Sequence, residues 1–102
     1  MTSWQYLAKV DDVPEGTGTE LVVEGTLIAL FHADGQFYAL DGVCPHAGGP
    51  LGKGSLAGHV VTCPWHGWQF DVSTGQHCLN PNLHHRTFPL KMKNDEIHID
   101  IS

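Results

Sequence analysis

Three features of the 102-residue sequence predict an all-β fold, a small antiparallel β-sandwich or partly open barrel with an inserted loop-rich subdomain. Apolar runs broken by turn residues form two hairpin signatures, one central and one at the end. Helical periodicity is hard to find anywhere, and glycine and proline crowd residues 41–76, as a subdomain of turns carried on sheets requires.

Taken in order, Trp4 to Val10 and Thr19 to Val23 are predicted strands, with a turn at "EGTG". Leu27 to His32 and Gln36 to Leu40 form a hairpin around Asp34 and Gly35, which tolerate the backbone angles of a tight turn. Further strands are expected at His59 to Thr62 and Trp68 to Asp71, with turns at "LAG" and "VSTGQ". A closing hairpin alternates Leu90 and Met92, then Ile97, Ile99 and Ile101, and breaks at Asn94 and Asp95. Trp4, Phe31, Phe37, Tyr38 and Phe88 are expected in the core or at its edge, and Cys78 as a small buried hydrophobe.

The length suits one domain over residues 1–102 and excludes an active site between two domains. The opening "MTSWQYLAKVDDVPEG" lacks the basic start and apolar run of a signal peptide, and no stretch approaches the roughly 18 apolar residues of a membrane span. A cytoplasmic protein is expected. With net charge −6 and five Lys and Arg, nothing favours a nucleic acid partner. The acidic stretch "DDVPEGTGTE" is read first as a solvated surface and second as a means of steering a basic partner. Three cysteines without a secretion signal make no disulfide framework and point to metal instead.

Two stretches carry that metal chemistry, "DGVCPHAGGPLGKG" and "TCPWHGWQF". One residue separates Cys44 from His46, two separate Cys63 from His66, and sixteen lie between His46 and Cys63. A structural zinc finger usually takes two cysteines from one turn and two histidines from one helix, whereas here each loop offers one thiolate and one imidazole. Softness alone admits zinc or an iron–sulfur centre. A two-iron cluster can use the mixture, with cysteines on one iron and histidines on the other.

The spacing, Pro45 and Pro64, and Gly67 after the second histidine closely resemble the Rieske [2Fe–2S] family. The resemblance implies one [2Fe–2S] cluster per chain, held by a cluster-binding subdomain at about residues 41–76. It makes Cys44 and Cys63 ligands of the inner iron and His46 and His66 ligands of the outer iron, whose imidazole edges face solvent and a docking partner. Two neutral imidazoles in place of two thiolates raise the charge of the oxidised centre from about −2 to about zero, so an added electron costs less. Gly48, Gly49, Gly52, Gly54 and Gly67 are candidates for turning amides toward the cluster's sulfides. Pro50 would shield its flank, and Trp65, between two ligands, would cover the cluster or dock a partner together with Pro50 and Leu51.

Two departures bear on potential. High-potential relatives carry a disulfide-forming cysteine in each loop, where this chain has Gly49 and Trp65, and Ser and Tyr hydroxyls where it has Trp68 and Phe70. Without those donors the low end of the Rieske range of roughly −150 to +300 mV is expected. That implies an electron carrier between a flavin-dependent reductase and an oxygenase-type acceptor, in transient contact at the histidine tip. The alternatives are a small accessory subunit of assimilatory nitrite reductase and a structural zinc module. His32, His59, His77, His84, His85 and His98 are expected to be ordinary side chains. His84 and His85, adjacent on an extended segment, should point to opposite sides.

Overall fold

Strand β3, Thr26–Ala33, organises the molecule because its apolar run serves two cores at once. Alternate residues of a strand face opposite ways. Ile28 and Leu30 enter one core with Leu7, Val23, Phe88, Ile97 and Ile99, while Ala29, Phe31 and Ala33 enter the other with Leu40, Leu51, Val61, Phe70 and Val72. A near-continuous apolar run of this kind is the signature of a strand covered on both faces.

The computed structural model describes residues 4–43, 49–65, 67–80 and 82–101. Among these, ten strands form three antiparallel sheets. The middle sheet has the order β2–β3–β4–β8, with β2 at Gly18–Val23, β4 at Gln36–Asp41 and β8 at Thr87–Phe88. On one side lies the sheet β1–β10–β9, made of Gln5–Lys9, Glu96–Ile99 and Leu90–Lys93. On the other lies a small sheet, β5–β6–β7, made of Ser55–Ala57, Val60–Thr62 and Gln69–Asp71. The result is the expected all-β architecture, and both hairpins form where turn chemistry places them. Asp34 and Gly35 have φ of 50° and 75°, the left-handed pair that a two-residue hairpin turn needs.

Four expectations are corrected. Leu56 and Ala57 of "LAG" belong to β5, and the turn falls on Gly58, whose φ is +60°. Trp4 is 39% exposed rather than in the core, with the Lys91 ammonium 5.9 Å from its ring centroid. Leu51 is fully buried in the second core and offers nothing to a docking partner. Cys78 is exposed. The bridge between Phe70 and His77 turns His77 inward, and the next residue on an extended segment then points out.

Phe31, Phe88, Phe37 and Tyr38 keep their expected places, the first two buried and the others half-buried at the core edge. The adjacent histidines also divide as expected. His85 is buried and donates from Nε2 to the Asp41 carbonyl at 2.7 Å, while His84 is exposed. The other described histidines have local partners too: His32 donates to the Val13 carbonyl at 2.8 Å, His59 pairs with Asp34 at 2.6 Å, and His98 meets Glu96 at 3.2 Å.

Candidate metal centre

The second core is the floor of the site. Cys63 is buried in it beside Val61, Phe70 and Leu51, at the point where β6 ends and the second cysteine loop begins. The Cys63 amide donates to the Trp68 carbonyl at 2.7 Å and closes a loop of six residues, Cys63 to Trp68, at its base. Within it Gly67 has φ of +72°, a conformation that residues with a Cβ adopt only under strain. The chain therefore needs glycine directly after position 66 to turn back into β7.

The first loop is closed in the same manner. The Leu51 amide donates to the Gly42 carbonyl at 3.0 Å, and Val43 bridges to Pro50. Below it, Val43 N–H binds the Asp41 carboxylate at 3.0 Å, and the Asp41 backbone is strapped to Arg86 and His85. The two loops meet at Gly49. A Cβ there would lie 2.8 Å from Trp65 Cγ and 3.1 Å from Cys63 Sγ. Its φ is not in the left-handed region, so glycine is needed for space rather than for backbone angle.

Of the four expected ligands, Cys63 is placed, while Cys44, His46 and His66 lie outside the described residues, as do Pro45 and Gly48. Among the described residues no three His, Cys, Asp or Glu side chains come together as a metal site. The surroundings of Cys63 nevertheless suit a [2Fe–2S] cluster: a cysteine sulfur on an apolar floor, and a glycine that leaves room beside that sulfur where the other loop arrives. Gly52 and Gly54 have a different reason from the expected one. A Cβ on Gly52 would lie 2.8 Å from the Thr19 carbonyl oxygen, and one on Gly54 would strike the Thr62 carbonyl, so both serve close packing against β2 and β6.

Trp65 is 51% exposed and packs its root against Gly49, so it is partly cover and partly free surface. Pro50 is half-buried. Phe70 is buried and Trp68 half-buried, and neither brings a hydroxyl to the site. Sequence reasoning gave no role to His77, which is buried between this loop and the segment after β7. The signal available was its proximity in sequence to the second loop, which alone singles out nothing.

Residues 3–93 match the family described as Rieske [2Fe–2S] domain. The chain belongs to that family. Its Rieske fold carries a [2Fe–2S] cluster, and the ferredoxin components among its relatives are of similar length. It is 37% identical over 93 residues to the ferredoxin component of the naphthalene 1,2-dioxygenase/salicylate 5-hydroxylase systems of a Ralstonia species, covering 90% of this chain and 89% of that one. Among solved structures, a chain of the complex of reduced oxygenase and oxidized ferredoxin in carbazole 1,9a-dioxygenase superposes with a TM-score of 0.88 at 27% identity, covering 98% of this chain and 94% of that one. A putative NADH-dependent nitrite reductase small subunit from Mycobacterium tuberculosis superposes with a TM-score of 0.89 over 100% of this Rieske chain and 97% of that one, at 20% identity, a likeness of fold alone.

Proposed function

We propose that this chain is the ferredoxin component of an oxygenase system, a single-domain electron carrier that accepts electrons one at a time from a flavin-dependent reductase and delivers them to an oxygenase. A bound Rieske cluster supplies the one-electron couple. Cys44 and Cys63 hold the inner iron, and His46 and His66 hold the outer iron at the surface. The observation that carries this reading is the meeting of the two ligand loops at Gly49 and Cys63 in a chain whose relatives of near-equal length are ferredoxin components.

Each part of the site then has a task. The apolar floor around Cys63 keeps water from the inner iron, and the half-exposed Trp65 marks the face where a partner docks. Residues 42–52 and 62–70 contain no Asp, Glu, Lys or Arg, so the loops themselves offer an apolar contact. The acidic stretch at residues 11–20 runs from a 3-10 turn at Val10–Asp12 into β2, where Glu20 packs beside Gly52 and pairs with Lys53 at 3.6 Å. With Trp68 and Phe70 in place of hydroxyl donors, the potential falls at the low end of the family's range. Among the described residues no helix is long and apolar enough to cross a membrane. Thiol ligands suit a reducing compartment, and on that chemistry we propose the cytoplasm.

The shared fold with a nitrite reductase small subunit leaves that role as the second reading, and the presence of all four ligand residues favours the carrier. Iron and acid-labile sulfide analysis with electron paramagnetic resonance of the reduced protein tests the proposal. Two irons, two sulfides and a Rieske-type signal are expected, and His66→Cys should lower the potential by adding a thiolate charge. A single zinc ion, or a potential indifferent to His66→Cys, would defeat the ligand assignment. Copurification with a large flavin or haem reductase in fixed ratio would favour the accessory subunit.

A further inference from the structure

His77 is 7% exposed, and the cluster reading leaves it without a task. Its Nδ1 lies 3.0 Å from the amide nitrogen of Leu79 and 3.1 Å from that of Asn80. Both amides donate, so Nδ1 is the acceptor and the ring proton sits on Nε2. That Nε2 is buried and has no hydrogen-bond partner among the described residues. The ring stands perpendicular to Trp68, with centroids 4.6 Å apart at 89°, and to Phe70, at 5.2 Å and 83°, the arrangement that N–H···π contacts use. The two aromatic side chains therefore hold the imidazole so that Nδ1 faces the amides.

Those amides belong to a loop with a defined shape. It is closed by His77 N–H to the Leu83 carbonyl at 2.9 Å and tied to β7 by Cys78 N–H to the Gln69 carbonyl at 2.9 Å. Between this loop and the second ligand loop is a cavity of about 310 Å³, lined by Gly67, Trp68 and Gln69 on one side and His77, Leu79, Asn80 and Leu83 on the other. Gly67 is the next residue in the chain after position 66, so one wall of the cavity comes from the second ligand loop and the other from His77, Leu79, Asn80 and Leu83. Leu79, at 86% exposed, contributes almost nothing to holding that second wall in place. The acceptor on His77 does.

We propose that His77 is a positioning residue for the cluster: through Nδ1 it holds the Leu79 and Asn80 amides and so fixes the shape of the turn that walls the cavity beside the second ligand loop, which limits how far water enters there and sets the reduction potential. The inference rests on the reading that Cys63 and His66 hold the cluster. Reduction adds a negative charge to a centre whose potential depends on hydrogen bonds to its sulfurs and on solvent exposure. Freeing the loop lets water stabilise that charge, so the potential should rise.

Two substitutions separate the acceptor from the ring. His77→Phe keeps a ring against Trp68 and removes the acceptor, whereas His77→Asn keeps an acceptor oxygen near the position of Nδ1 and removes the ring. Spectroelectrochemical titration of the cluster-loaded proteins should give an upward shift for His77→Phe and a value near wild type for His77→Asn. An unshifted His77→Phe, a downward shift, or a His77→Asn displaced as far as His77→Phe would each overturn the proposal. Hydrogen–deuterium exchange of the loaded wild type keeps the test open if a variant does not fold. The segment 78–83 should exchange at least tenfold slower than an unprotected chain, and exchange at the unprotected rate would equally overturn it. Failure of the underlying reading looks different, because a wild type without two irons and a reduced-state signal has no cluster to tune.

Discussion

Gly49→Ala is the sharpest probe of the site, because it adds one methyl group where the two ligand loops touch. The new Cβ would lie 2.8 Å from Trp65 Cγ, 3.0 Å from Trp65 Cβ and 3.1 Å from Cys63 Sγ. Real carbon contacts under 3.0 Å do not persist, so something must move. Trp65 cannot swing its outer ring away to relieve the strain, since the atoms in contact are the root of the side chain. Cys63 cannot retreat either, because its sulfur sits on a packed floor and would be bound to iron. No backbone penalty enters, as Gly49 has no left-handed φ. Overpacking of this kind costs about 1–3 kcal/mol, which is about 5-fold to 150-fold in an equilibrium constant. The measurement is chemical unfolding of the cluster-loaded protein, followed by visible absorbance for the cluster and far-ultraviolet circular dichroism for the sheets. The absorbance midpoint should fall with the fold or ahead of it, and adding Trp65→Ala should recover part of the loss by removing the 2.8 Å contact. A Gly49→Ala protein with wild-type stability and an unchanged absorption spectrum would refute the juxtaposition of the loops.

Trp65→Ala alone, at a half-exposed position on an apolar loop, should weaken transfer to the oxygenase by about tenfold or more in kcat/KM while leaving the potential in place, as expected of a buried aromatic anchor in a small interface; stopped-flow reoxidation and a redox titration check the two halves. The same kcat/KM should change little with ionic strength, since residues 42–52 and 62–70 hold no Asp, Glu, Lys or Arg. Phe31→Ala empties a fully buried ring site in the core beneath Cys63 and should cost about 3–5 kcal/mol in denaturant unfolding, with earlier cluster loss. Asp34→Asn breaks the 2.6 Å pair with His59, but the Asp34 side chain is 75% exposed, so a loss within about 1 kcal/mol is expected from thermal or urea unfolding.

The sheets were legible in the sequence wherever turn chemistry and alternation agreed, as at Asp34–Gly35 and in the Leu90 to Ile101 hairpin. Strand β5 was not, because Leu56 and Ala57 precede a glycine and look like part of its turn. Strand β8 is two residues long and exists through its pairing with Ala39 and Leu40, which no local pattern announces. The proposed ligand residues stand out in the sequence by their spacing, whereas the surroundings of Cys63 do not. Leu51 looks like a docking residue beside Pro50 until β3 and β6 are seen to close over it. The orientation of Cys78 depends on the parity that the Phe70–His77 bridge imposes. Gly52 and Gly54 looked like cluster-loop glycines and prove to be sites where neighbouring strands come too close for any side chain. Each of these depends on distant partners, which a linear pattern does not carry.

Because Thr26–Ala33 is a shared wall, with odd and even positions committed to separate interiors, a slip of one residue would trade Phe31 for Leu30 beneath the metal site and ruin both sides together. The iron-bearing end therefore cannot drift relative to the far sheet. An electron carrier that must present the same few atoms at every encounter benefits from such a rigid mount.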